Sequence, residues 1–316
     1  MKIGFIFPGQ GAQSIGMGKE LYDQYEEFQK VYHIANEILG ISLEKITFYG
    51  DEENLSQTDH TQIAIFVMCM GILKILEKYD IKAEMVTGLS LGEYAALQYA
   101  GAFSLQQGIE IVAKRGELMK KFVPKGEWAM AAVIGISDAE VEDACNQVTE
   151  GFVKAVNYNC PGQVAISGEK MAVEKAMQIA KEKGSKKVVE LKTKGPFHTE
   201  LLREAAFLLK EELEKHSFQE IHCQVVKNLD GQIYKKEEQL SEVLFQHMIS
   251  PVRFCQGIQT MLENGIDTFI EIGPGKVLSG FVKKTAKQLE KEVQIFHIES
   301  EENLQEVIQY CTGNLI

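Results

Sequence analysis

The stretch VTGLSLGEYAALQYAGA, Val86 to Ala102, decides how this chain is read. An apolar run meets a glycine, one serine stands at the turn, and a helix-forming segment follows. Gly88-Leu89-Ser90-Leu91-Gly92 fits Gly-x-Ser-x-Gly, in which a sharp strand-to-helix turn exposes a serine hydroxyl. The same residues also fit a plain serine-initiated helix with glycines nearby. The surroundings have to separate the two readings.

Outward from that turn, strands and helices alternate. Met1 to Phe7 reads as a buried strand ending in the loop Pro8-Gly9-Gln10-Gly11, and Lys82 to Thr87 as a strand feeding the serine. Lys19 to Leu39 and Thr61 to Lys78 have helical periodicity, and a helix is expected from about Leu91. This pattern predicts an α/β domain with a mainly parallel sheet. After Lys125 the order changes. Strands at Ala129–Gly135, Phe152–Tyr158, Gln163–Ser167 and Lys187–Lys192, with helices at Asp138–Val148 and Glu169–Lys183, spell β-α-β-β-α-β. That is a ferredoxin-like unit. The α/β pattern then resumes with a helix at Leu202–His216, a strand at Gln224–Leu229, a helix at Phe254–Glu263 and a strand at Thr268–Ile272. The expected division is a large domain of residues 1–125 and 193–316 carrying an inserted subdomain of residues 126–192. A cleft between such units is a usual place for a site.

Composition narrows the function classes. With 316 residues, 45% of them hydrophobic and 25% charged, the chain has room for a large core and a smaller one. No uninterrupted apolar run reaches the length of a membrane span, and Met1 to Pro8 is too short for a leader, so a cytoplasmic location without membrane attachment is expected. The net charge of −12 argues against nucleic acid as a ligand. It also means that an acidic partner needs a local basic patch. Lys183, Lys186, Lys187, Lys192 and Lys194 form one candidate group, and Lys276, Lys283, Lys284 and Lys287 a second. Six scattered cysteines, with no Cys-x-x-Cys, support neither a disulfide framework nor a zinc site.

A serine nucleophile needs a base. Of seven histidines, His33 and His216 sit in charged helical stretches, and His222 and His297 flank strands. His198 differs, because Gly195-Pro196 puts it on a loop just after the inserted unit; it reads either as the base or as a residue opening a helix. An oxyanion needs donors as well. The Leu91 main-chain N–H follows the serine at a helix N-terminus, and Gln10 stands in the loop after the first strand.

FPGQGAQ, GLSLGEYAAL, AKRGELM, NYNCPGQVAISG, GPFHTELL, SPVRF and EIGPGKVLSG together resemble, in order and spacing, the malonyl-CoA:acyl carrier protein transacylases, from Ile3 to about Gly280. The likeness is to the free-standing enzyme of fatty acid synthesis more than to a polyketide synthase module. It implies an α/β-hydrolase-like large domain with the ferredoxin-like insert, and malonyl transfer from malonyl-CoA to acyl carrier protein. Ser90 corresponds to the nucleophile, His198 to its base, Gln10 and Leu91 to the oxyanion donors and Arg115 to the malonyl-carboxylate ligand. The His247 carbonyl corresponds to the group that orients the imidazole, and Phe197 and Met119 to specificity residues. No metal or bound cofactor is implied, since CoA arrives as part of the substrate. Two positions depart from the family's usual pattern: Leu89 stands where a histidine is usual, and Phe197 where many free-standing members have serine. A trans-acting polyketide acyltransferase and a simple serine hydrolase are the other readings.

Overall fold

A computed structural model describes residues 1–192 and 195–313; the expected patch residue Lys194 lies outside them. Among the described residues there are nine strands. They are β1 (Ile3–Phe7), β2 (Met85–Gly88), β3 (Trp128–Ile134), β4 (Val153–Cys160), β5 (Gln163–Glu169), β6 (Lys187–Glu190), β7 (Gln224–Val225), β8 (Thr268–Ile272) and β9 (Gln294–Ile298).

Five of them form one parallel sheet in the order β7-β2-β1-β8-β9. β1, β2 and β8 are buried along their whole length. Helices cover both faces of such a sheet, so its strands read as continuous apolar runs. The helix Thr58–Lys78 is long and apolar enough to cross a membrane, but most of it is buried here as the central core helix. Against it packs the helix Leu105–Lys121, whose start is set by a reciprocal Ser104–Gln107 capping box.

The other four strands make an antiparallel sheet in the order β4-β5-β3-β6. With the helices Asp138–Asn146 and Lys170–Glu182 it has the ferredoxin-like order and its own apolar core around Ala131, Val133, Val141, Val164, Ile166 and Val173. The small sheet meets the large unit at Val252, which lies between the helices Leu240–Ile249 and Phe254–Glu263; its carbonyl accepts the Tyr158 N–H at 2.9 Å and its N–H donates to the Val156 carbonyl at 2.8 Å.

Three local differences from the sequence reading have physical causes. The stretch Lys19–Leu39 is two helices, because Tyr25 is extended (φ −119°) and sends its hydroxyl to Glu301 at 2.9 Å. β7 stops after two residues, since Val226 turns to bridge Ile233 and the next residues leave the sheet. His297 lies within a strand, β9, rather than beside one, because Gln294–Ile298 pairs in parallel with β8 and brings His297 opposite Glu271.

Candidate active site

β2 ends at Gly88, the helix Gly92–Tyr99 begins four residues later, and Ser90 sits between them with φ +55°. That left-handed conformation costs a non-glycine residue roughly 1–2 kcal/mol, so neighbours must hold it. Both glycines make the turn possible. A Cβ on Gly88 would lie 2.0 Å from the Gly92 carbonyl carbon, and one on Gly92 would lie 2.1 Å from the Phe7 oxygen. Asn228 supplies the hold: its Oδ1 accepts the Ser90 N–H at 2.7 Å and its Nδ2 donates to the Gly88 carbonyl at 2.7 Å. A plain helix start has no use for this arrangement.

Ser90 Oγ lies 2.6 Å from His198 Nε2. His198 also has a positive φ, +61°, in the loop before the helix Arg203–Leu213. Its Nδ1 faces the His247 carbonyl at 3.0 Å. A carbonyl only accepts, so Nδ1 carries the proton and Nε2 is left to accept from the serine. Burial, with Arg115 nearby, lowers the imidazole to about 4. At neutral pH His198 is therefore an uncharged base. The His247 ring stacks on it, with centroids 5.2 Å apart.

Arg115 is 1% exposed, which rules out a solvated helix position. Its Nη2 donates to Ser90 Oγ at 3.0 Å and its Nη1 to Gln62 Oε1 at 2.6 Å, while the guanidinium lies 5.0 Å over the Tyr94 ring. Its Nε–H is buried with no acceptor among the described residues. Gln62 also contacts Gln10 Oε1 at 3.4 Å and Met119 Sδ at 3.3 Å. Among the described residues, neither the Gln10 nor the Leu91 main-chain N–H donates to a protein acceptor. Both stay available beside the serine.

Ser90, His198, Gln10 and Met119 line a cleft of about 270 Å³ between the two units, with Arg115 buried behind Ser90. Leu89, Gln10, Met119, Phe197 and His198 line it from the large unit. Met130, Ala132, Asn157 and Ala165 line it from the small one. Leu89 lines it with an apolar side chain, and so does the buried Phe197, the residue before His198. The sequence-predicted residues Ser90, His198, Gln10, Leu91, Arg115, Phe197, Met119 and the His247 carbonyl thus fall in one place.

A family model for the acyl transferase domain matches residues 4–308. The malonyl CoA-acyl carrier protein transacylase of Bacillus subtilis is 42% identical over 290 residues, 91% of this chain and 92% of that protein. The chain belongs to the malonyl-CoA:acyl carrier protein transacylase family. The crystal structure of the transacylase from Clostridium perfringens superposes with a TM-score of 0.93 at 40% identity, covering 99% of this chain and 98% of that one. A type II polyketide acyl-carrier protein in complex with its malonyl-transacylase contains a chain that matches at TM-score 0.93 and 32% identity, covering 98% and 100%.

Within this transacylase fold, sequence reasoning missed Asn228, Gln62 and Glu93. Asn228 falls in the stretch Gln224–Leu229 that the sequence assigns to a strand, and its partner Gly88 is 140 residues away. Gln62 opens an apolar helix, and a polar residue buried there was the available signal. Glu93 is 0% exposed although it follows the serine motif at a helix start, where acids are usually solvated.

Proposed function

We propose that the chain transfers a malonyl group from malonyl-CoA to the phosphopantetheine thiol of acyl carrier protein, through a malonyl ester on Ser90. The observation that carries this is the position of Ser90 Oγ, 2.6 Å from a neutral, buried His198 and 3.0 Å from the buried Arg115. As Oγ attacks the thioester carbonyl, its proton passes to His198 Nε2. The oxyanion is held by the N–H groups of Gln10 and Leu91. The C–S bond breaks, and the CoA sulfur takes the proton from His198. In the second half the carrier thiol gives its proton to His198 and attacks the ester, and Ser90 leaves with that proton. This is ping-pong chemistry on a Ser-His dyad, with a main-chain carbonyl orienting the imidazole.

Arg115 binds the free malonyl carboxylate in this reading. A planar fork suits that group, and the unpaired Nε–H is a further donor. Phe197 and Met119 shape the acyl pocket, where a ring beside the base disfavours a branched acyl chain. The reaction needs no metal or bound cofactor. Residues 126–192 act as the inserted subdomain that closes the cleft, and we place the enzyme in the cytoplasm, serving fatty acid synthesis. The likeness to the polyketide complex supports a trans-acting polyketide role as the second reading. Reconstitution with each class of carrier protein, scored by kcat/KM for malonyl transfer, separates the two.

A further inference from the structure

The dyad mechanism leaves an electrostatic problem. When His198 takes the serine proton it becomes a cation beside Arg115, and both are buried. Two like charges in a water-poor site repel strongly. The malonyl carboxylate answers Arg115 and the oxyanion forms along with the imidazolium, but the His247 carbonyl carries no net charge, so a countercharge supplied by the protein has to come from another group. Two carboxylates are fully buried among the described residues, Glu93 and Glu271. Glu271 is occupied elsewhere, accepting from Leu278 N–H, Ser279 N–H and Ser279 Oγ–H.

Glu93 is tied to both halves of the pair. Its Oε2 accepts the Asn228 N–H at 2.8 Å, and the side chain of Asn228 holds Ser90. The same Oε2 lies 3.4 Å from His247 Nδ1, and the carbonyl of His247 holds His198. At that spacing the His247 contact is an electrostatic approach rather than a hydrogen bond, and both ring nitrogens of His247 lack partners among the described residues. The Tyr234 hydroxyl donates to Oε1.

We propose that Glu93 is the positioning residue of the Ser90–His198 pair and its buried countercharge, fixing the serine through Asn228 and stabilising the imidazolium across His247. This rests on the dyad reading above.

The charged and titratable groups around Glu93 are Arg115 from the helix Leu105–Lys121, Tyr94 on its own helix, Asp230 and Tyr234 from the segment after β7, and His247. Burial raises Glu93 to about 7; Tyr234, the Asn228 N–H and Arg115 oppose that, and Asp230 adds to it. The countercharge is therefore present above about pH 7 and lost as pH falls through it.

The test is the rate of malonyl loading, followed by rapid-quench intact mass against pH, in wild type, E93Q and Y234F. E93Q keeps the shape and removes the charge; the Tyr234 hydroxyl can rotate to accept from the new amide. The expected ratio of wild-type to E93Q rate is about tenfold at high pH, the worth of one unit of imidazolium acidity, and falls toward one at low pH. KM for malonyl-CoA should stay nearly constant. Y234F removes one donor to the carboxylate and should move the midpoint of the wild-type profile upward, which keeps the test alive should E93Q not fold. A rate ratio equal at every pH, an E93Q enzyme as fast as wild type at high pH, or an unmoved midpoint in Y234F each overturns the proposal. A wild-type enzyme that takes up no malonyl group would overturn the dyad reading instead.

Discussion

Asn228 Oδ1 accepts the Ser90 main-chain N–H at 2.7 Å across 138 residues of sequence, and this bond holds the strained residue at the centre of the site. Asn228→Ala leaves that N–H and the Gly88 carbonyl without their partner. The expected loss of stability is about 1–3 kcal/mol, with a larger drop in loading rate than a surface substitution gives. Thermal unfolding and single-turnover loading read the two effects separately. Unchanged loading would mean that the turn holds itself.

The serine turn should tolerate no side chain at its glycines. Gly88→Ala forces a methyl to 2.0 Å from the Gly92 backbone, and the main chain has to move. A stability loss above about 4 kcal/mol is expected, or no folded protein. Gly280→Ala, where a Cβ meets nothing within 4 Å, is the control and should unfold near the wild-type temperature.

Arg115→Ala should harm malonyl transfer far more than acetyl transfer. Stranding the carboxylate in a desolvated cleft costs roughly 2–5 kcal/mol, whereas an acetyl group has no carboxylate to strand. Comparing kcat/KM for the two donors checks this. Equal losses would make Arg115 a support for Ser90 and Gln62 only.

The basic groups expected to meet an acidic carrier protein are not equivalent. Lys276, Lys283, Lys284 and Lys287 are exposed on or just before the helix Val277–Gln288, whose Val277, Leu278 and Phe281 line the cleft. Lys284 Nζ donates at 3.1 Å to Gln163, another lining residue. In the other group Lys183 pairs with Asp143 and Lys192 with Glu52. Reversing Lys283 and Lys284 should raise KM for the carrier protein more than reversing Lys186 and Lys187, and leave loading nearly intact. The difference should shrink with salt, since exposed charges are screened over about 8 Å at physiological ionic strength.

Much of the fold was legible, because β1, β2 and β8 are short, fully buried apolar runs bounded by glycine or a loop, whereas the two edge strands β7 and β9 are partly exposed and were read less well. The serine turn was legible in part for the same reason: Gly88 is demanded by a contact with Gly92 four residues on, whereas Gly92 is demanded by Phe7 on the neighbouring strand. What the sequence could not show are meetings between side chains from 21 to 141 residues apart. Arg115 sits at helical spacing beside Lys114 and looks solvated until Gln62 and Tyr94 enclose it. Glu93 looks like an exposed first-turn acid until Asn228 and Tyr234 close over it. No period or local motif marks such pairs, since the tertiary fold alone creates them.

The central claim is that Ser90 carries the malonyl group between two thiols. Intact mass after mixing with malonyl-CoA, with and without phosphopantetheinylated carrier protein, tests it most directly. Wild type should gain one malonyl group, Ser90→Ala none, and His198→Ala should load about 10²–10⁴ times more slowly. His247→Ala should lose much less than His198→Ala, because its main-chain carbonyl remains. Carrier protein should discharge the adduct far faster than water does. An adduct that persists in Ser90→Ala, or one that water clears as fast as the carrier, would contradict the account.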